Sequence, residues 1–277
     1  MKPPVPYFGG KMRIAEQIVR LMPPHQHYVE PFAGSLSVLL AKPPVAHETV
    51  NDLDGALVTF WRVLRDRPDD LHRACALTPH ARAEHDDARD MVVPGDDLET
   101  ARRVWVRLTQ GRAGLTLNSG WRHYQAPSGS SGSMPDYLHG YTDRIPPAAR
   151  RLASVSLECR PALDVIASFG RHDGVLLYVD PPYLGSTRNS GSKYAVEMRE
   201  AGEHEELLSV LLACRAAVVL SGYPSHLYDD ALAGWDRVEI PTATGQGGEW
   251  QDRTEVVWSN RPIAAPNLLD LIPGGAA

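Results

Sequence analysis

The chain has 277 residues, 43% of them hydrophobic, enough for one large α/β domain or one domain with a smaller insertion and too many for a disordered chain. Its 23 glycines and 23 prolines follow no period, which excludes collagen and low-complexity architectures. A formal charge of -6 argues against a uniformly basic protein, and no apolar run approaches the roughly 18 residues that a membrane helix needs.

Residues 1–7 hold three prolines and one lysine and no export segment, so a cytoplasmic location is expected. A helix is expected over 12–21, where Ile14, Ile18 and Leu21 share a stripe that Pro23 and Pro24 end. Short strands are expected at 27–29 and 49–51, with a helix at 35–41 between them. Leu53, Leu57, Phe60, Trp61 and Leu64 then recur at helical spacing as far as Pro68. Strand, helix, strand and helix in this order predict an α/β, Rossmann-like, doubly wound and mainly parallel sheet. From 68 to 160 the pattern changes to helices at 69–77 and 97–108 followed by a Gly/Ser-rich stretch at 111–133, which predicts a smaller, mainly helical insertion. After Pro161 the alternation resumes, with a helix at 162–169, a buried strand at 175–179, a helix at 203–215 and a buried strand at 217–221. β-rich runs at 236–240 and 254–259 flank a glycine-containing loop at 244–248, the pattern of an antiparallel hairpin on the sheet edge. Residues 1–67 and 161–277 are thus expected to form one domain, interrupted by 68–160.

Cys75, Cys159 and Cys214 are isolated and lie in no metal-ligand spacing, so neither zinc nor disulfides are expected. Charge is uneven: residues 100–125 hold Arg102, Arg103, Arg107, Arg112 and Arg122 without an acid, just after a stretch with six acids and one arginine. This is a candidate phosphate-facing surface, the plainer alternative being a solvated helix face. The five arginines are not expected to act alike: Arg107 suits a phosphate contact, and Arg112 and Arg122 a groove-following loop around Trp121.

Three motifs carry chemistry. Asp180, Pro181, Pro182 and Tyr183 follow the strand at 175–179, at the strand end where open α/β sheets bind ligands. Asp180 and the Pro181 carbonyl can together accept both hydrogens of an exocyclic amine, and Tyr183 can stack on the ring that bears it. The plainer reading is a capped, proline-rich turn. Glu30, Pro31, Phe32, Ala33 and Gly34 form a second strand-to-helix turn in which Gly34 admits a ligand to the backbone and Ser35 can cap the helix. Asn51, Asp52, Leu53 and Asp54 end the next strand with carboxylates, at the position that meets a ligand ribose; either aspartate could instead cap the following helix. Tyr7, Phe8, Gly9, Gly10 and Lys11 invite a phosphate-loop reading, which fails because Val5 and Met12 stand where that loop needs glycine and Ser or Thr.

Taken in chain order, Tyr7 to Lys11, Glu30 to Gly34, Asn51-Asp52 and Asp180 to Tyr183 resemble the Dam-type, D12 class N6-adenine DNA methyltransferases of bacteria and phages, over most of the chain. The resemblance implies S-adenosylmethionine as cofactor and double-stranded DNA as partner, with direct methyl transfer to a flipped adenine and no metal. It implies a seven-stranded sheet with an antiparallel last hairpin, and makes 68–160 the target-recognition segment. Tyr7, Lys11, Glu30, Pro31, Phe32, Ala33, Gly34, Asp52, Leu53 and Asp180 would contact the cofactor; Asp180, Pro181, Pro182 and Tyr183 would form the catalytic turn; Arg107, Arg112 and Arg122 would contact DNA. A monomer is expected, with or without a companion restriction nuclease. The chain departs from the family at Leu36, where many members have a second glycine, at Pro161, where a polar or aromatic residue often meets the cofactor adenine and Asp164 is the nearest substitute, and at Tyr7, which replaces a tryptophan. The segment 109–122 lacks the pattern associated with GATC recognition, and residues 188–194 are the alternative place for target recognition. An RNA adenine or cytosine-N4 methyltransferase, or a degenerate DNA-binding protein of the same fold, are the alternative functions.

Overall fold

The computed structural model describes residues 1–112, 114–115, 119–123, 133–183, 198, 200–246 and 249–263, with only the backbone path for 243–246 and 249–253. Parts of the Gly/Ser-rich stretch and all of 188–194 therefore lie outside the described residues. The first third alternates as expected: α1 (Ala15–Arg20), β1 (His27–Glu30), α2 (Ser37–Ala41), β2 (His47–Asn51) and α3 (Gly55–Asp66). Helices α4 (Pro68–Leu77), α5 (Arg82–Asp87), α6 (Asp97–Gln110), α7 (Met134–Thr142) and α8 (Ile145–Leu152) follow. Then come β3 (Val155–Glu158), α9 (Ala162–Phe169), β4 (Val175–Val179), α10 (Ala201–Leu212), β5 (Ala217–Gly222), α11 (His226–Ala231), β6 (Asp236–Gln246) and β7 (Glu249–Ser259).

The strands form one seven-stranded sheet in the order β3-β2-β1-β4-β5-β7-β6. Pairing is parallel from β3 through β5, while β7 runs antiparallel to both β5 and β6. The mainly parallel sheet with an antiparallel last hairpin is thus as expected, although β6 and β7 run longer than the two β-rich runs suggested. Strand β4 is buried throughout and divides its side chains between the faces: Leu176 and Tyr178 join one apolar cluster, Val175, Leu177 and Val179 the other. A strand covered on both sides reads as an uninterrupted apolar run, which is how 175–179 appears in the sequence.

Elements α5, α7, α8, α11 and β3 were not anticipated. Strand β3 lies inside the 68–160 segment yet belongs to the sheet, pairing with β2 through Val155 to Glu158. It escapes notice because it is four residues long, at the sheet edge, with only Val155 fully buried. The helices of that segment are continuous with the sheet core as well: Leu71 of α4, Trp105 of α6, Leu138 of α7 and Leu152 of α8 belong to the same apolar cluster as Tyr28, Leu176 and Val219 of the sheet.

A buried charge network fastens this segment to β2. Glu48 is 3% exposed and takes Nζ of Lys42 at 2.8 Å and Nη2 of Arg151, from the last turn of α8, at 2.7 Å. Nη1 of Arg151 bonds the second Glu48 oxygen. Burial raises the Glu48 carboxyl, but its hydrogen bonds to Arg151 and Lys42 outweigh this and hold it below the ordinary value. Arg151→Met should leave the buried carboxylate with Lys42 alone and cost about 3 kcal/mol of stability, read from chemical denaturation.

Candidate functional site

The chain order of the sheet reverses between β1 and β4, and the carboxyl ends of β1, β2 and β4 therefore open on one side. Loops from these ends enclose a cavity of about 270 Å³. Tyr7 and Lys11 line it from the amino-terminal loop, Glu30, Pro31, Phe32, Ala33 and Gly34 from the β1 turn, Asp52 and Leu53 from the β2 end, and Asp180 and Pro182 from the β4 end. Pro161, Ala162 and Leu163 complete the wall, whereas Asp164 does not reach it. Pro181 and Tyr183 turn away and line a crevice of about 10 Å³ with Ser221, Tyr223 and Tyr228.

The glycine turn has a specific cause. Gly34 adopts φ 47°, and a Cβ there would come within 3.1 Å of the Tyr7 ring. Its amide donates to Asp52 Oδ2 at 2.9 Å, and its carbonyl accepts from Trp61 Nε1 at 3.1 Å. Leu36 takes φ 57° while fully buried, a left-handed conformation held without glycine, the residue that suits it best. Ser35 does not cap α2: its hydroxyl pairs with Ser37 at 2.8 Å and Leu36 occupies the cap position. Asn51 clasps the strand ends, donating to the carbonyls of Pro31 and Arg160 at 3.0 Å each and accepting from the Arg160 amide at 3.0 Å.

The two aspartates that follow β2 divide their work. Asp54 Oδ1 caps α3, accepting from the amides of Ala56 and Leu57 at 3.0 and 3.2 Å, while its Oδ2 is buried without a hydrogen-bond partner. Asp52 accepts the amides of Gly34 and Asp54 at 2.9 and 3.0 Å, one on each oxygen. Burial pushes the Asp52 carboxyl up to about 6.

At the β4 end a lysine stands amid carboxylates. Lys11, 5% exposed, reaches both oxygens of Asp180 at 2.7 Å, the Tyr183 hydroxyl at 2.6 Å and the Gly9 carbonyl at 3.1 Å. Burial opposes its charge, but Asp180 and Glu255 overcome this and hold the ammonium well above the ordinary lysine value. Burial likewise raises Asp180, against the pull of Lys11 and Ser221. Glu30, 3% exposed and accepting from the Tyr28 hydroxyl at 2.8 Å, is pushed by burial up to about 8 and is mostly neutral at pH 7. The Tyr183 ring is only 7% exposed, with Tyr223 at 4.2 Å between centroids and tilted by 34°. A ring stacking on Tyr183 must therefore use the surface that Tyr223 leaves.

Sequence reasoning missed Glu255. It lies in the run 254–259, where the apolar neighbours signalled a strand and drew attention away from the acid among them. A charged residue flanked by Val256, Val257 and Trp258 was the signal available.

The arginines of the basic stretch differ in their surroundings. Arg107 is 3% exposed and its Nη1 meets Nε2 and the carbonyl of His85 at 3.0 and 3.3 Å, so it is not placed to touch a phosphate. The unanticipated α5 covers it. Arg102 bonds Glu99 and Glu84, and Arg103 bonds Glu99, so acids that precede the basic stretch in sequence neutralise it in space. Arg112 is exposed. Arg122 is half-buried, with its guanidinium 4.7 Å from the Tyr137 ring centroid, beside Trp121 stacked between His80 and His123. Among the described residues no group of acids, histidines and cysteines could hold a metal, and no helix is long and apolar enough to cross a membrane.

No curated protein matches this chain. Solved structures that it resembles include the precorrin 8w decarboxylase of Methanobacterium thermoautotrophicum, at 11% identity over 94% of this chain and 95% of that one with a TM-score of 0.38. Another is a SAM dependent methyltransferase from Agrobacterium tumefaciens, at 12% identity over 90% of this chain and 59% of that one with a TM-score of 0.37. Scores this low carry no weight for function. The family comparison is more specific and falls on motifs around the cavity: residues 7–103 are similar to the D12 class N6 adenine-specific DNA methyltransferase, in agreement with the resemblance read from the sequence.

Proposed function

We propose that the protein transfers a methyl group from S-adenosylmethionine to N6 of an adenine flipped out of double-stranded DNA. One observation carries this reading: Asp52 and Asp180, from the ends of two parallel strands, face the same cavity at the switch point of the sheet. The donor set fits the cofactor. Asp52 spends one lone pair of each oxygen on a backbone amide and keeps others for ribose hydroxyls, while Phe32, Leu53, Pro161 and Leu163 supply apolar wall. When bound, the cofactor supplies a methyl group on a sulfonium, reactive enough for direct transfer without a covalent enzyme intermediate.

The chain's own residues prepare the acceptor. An exocyclic aromatic amine is a poor nucleophile because its lone pair is delocalised into the ring. Asp180 and the Pro181 carbonyl, accepting its two hydrogens, favour the pyramidal form in which that pair is localised. Asp180 is also the nearest base for the proton that the amine gives up. Base flipping costs a few kcal/mol, which phosphate contacts from the 68–160 segment and the pocket at Asp180 and Tyr183 offset. We assign Arg112 and Arg122 to that role, leaving Arg107 to structure. Expression in a host without adenine methylation, followed by native sequencing of its DNA, tests the whole reading: N6-methyladenine at a fixed motif is expected. Methylation confined to cytosine or RNA would redirect the reading, and none at all would overturn it.

Asp52→Ala should weaken S-adenosylmethionine binding at least tenfold by calorimetry, since each hydrogen bond to a charged acceptor is worth roughly 1.5 to 3 kcal/mol. An unchanged dissociation constant in a folded variant would transfer the ribose to Asp54. Asp180→Asn, chosen to keep the side-chain volume beside Lys11, should abolish transfer while DNA affinity in gel shifts stays within a few-fold; appreciable turnover would make the carboxylate structural. Arg112→Ala should lower the salt dependence of DNA binding by about one unit, and Arg122→Ala should relax one flanking base at a cost of roughly 1 to 3 kcal/mol, as read by salt titration and methylome sequencing.

A further inference from the structure

Glu255 is 4% exposed on β7, immediately before fully buried Val256 and Val257. A carboxylate in such surroundings is costly unless partnered, and its partners are all in the site. The Tyr183 hydroxyl lies 3.1 and 3.2 Å from its two oxygens, and Lys11 Nζ lies 3.5 Å from Oε1. Because the single proton of that hydroxyl goes to Glu255, its lone pairs face Lys11, whose Nζ approaches to 2.6 Å. One ammonium is thereby divided between two carboxylates: Asp180 directly, and Glu255 both directly and through Tyr183.

We propose that Glu255 is a positioning residue of this site, which draws on the charge of Lys11 and fixes the Tyr183 hydroxyl so that Asp180 remains a strong acceptor for the target amine. The inference rests on the methyl-transfer reading above. Without the Glu255 charge, the whole charge of Lys11 falls on Asp180, whose oxygens then bind the lysine at the expense of the amine. The charged and titratable groups facing Glu255 are Lys11, Asp180 and Tyr183, with Glu30 beyond Asp180 and mostly neutral at pH 7. Burial pushes the Glu255 carboxyl up to about 7, so it changes charge within the working range. As pH falls through 7 it gains a proton, Asp180 is left alone with Lys11, and the rate should fall.

Glu255→Gln fixes the protonated state without changing side-chain length. At saturating cofactor and DNA, kcat of the wild-type enzyme should fall by about tenfold from pH 8.5 to 5.5 with a step near 7. The variant should run near the lower level throughout, without that step, while KM for both substrates stays within a few-fold. Should Glu255→Gln fail to fold, Glu255→Asp, which withdraws the carboxylate by one methylene, should give an intermediate kcat and a step at lower pH. A variant that loses rate equally at every pH while keeping the step, or that matches the wild type, would overturn the inference and leave the methyl-transfer reading intact. A wild-type enzyme that makes no N6-methyladenine would instead remove the reading, and the inference with it.

Discussion

A lysine ammonium shut away from water, held by a carboxylate 169 positions further along the chain, is the constraint on which the site depends. Lys11 could not be buried alone, because an isolated charge away from water would cost far more than a single domain's net stability allows. Its pairing with Asp180 brings the amino-terminal loop onto the end of β4. It also sets the places of the groups around it: Tyr183 hangs on the ammonium, Glu255 on Tyr183, and the Gly9 carbonyl closes the circuit. The cavity wall is in this sense an electrostatic construction resting on an apolar sheet, and its fidelity comes from the rigidity of strands buried on both faces.

Much of the fold was legible because its strands are of the kind that sequence displays best. The runs 175–179 and 216–220 are apolar without a break, as strands covered by helices on both sides must be. The helix α3 announced itself through Leu57, Phe60, Trp61 and Leu64, with Asp54 as its cap and Pro68 at its end. What escaped was weak in pattern. Strand β3 buries one of its four residues fully, and α5 carries Arg82, Glu84, His85, Asp86 and Asp87 within six positions, which reads as a polar loop. Overlooking α5 led directly to the error on Arg107, since a helix nobody expects cannot be seen to cover a side chain.

The site was legible in the same uneven way. Residues at strand ends can be found by position: Asp180 stands directly before Pro181 and Pro182, and Asp52 directly after the second strand. Glu255 lies within a strand, where only its tertiary neighbours, Lys11 and Tyr183, single it out. The basic stretch misled for a related reason: its arginines and the acids before it are separate blocks in the sequence but lie one helical turn apart on α6 or face each other across α5, and linear charge counting cannot see that pairing.

Gly114, from the loop after α6, sits with φ 63° so close to the amino-terminal loop that a Cβ would lie 3.0 Å from the Tyr7 nitrogen, and its carbonyl accepts from the Phe8 amide at 2.9 Å. Tyr7 in turn lies against Gly34 in the cavity wall. The segment between α3 and β3 is consequently not a detachable cassette. Exchanging it for the corresponding piece of a relative would trade part of the cavity's own masonry, and a chimera keeps its pocket only if the incoming loop offers the same bare backbone at the place where Tyr7 leans.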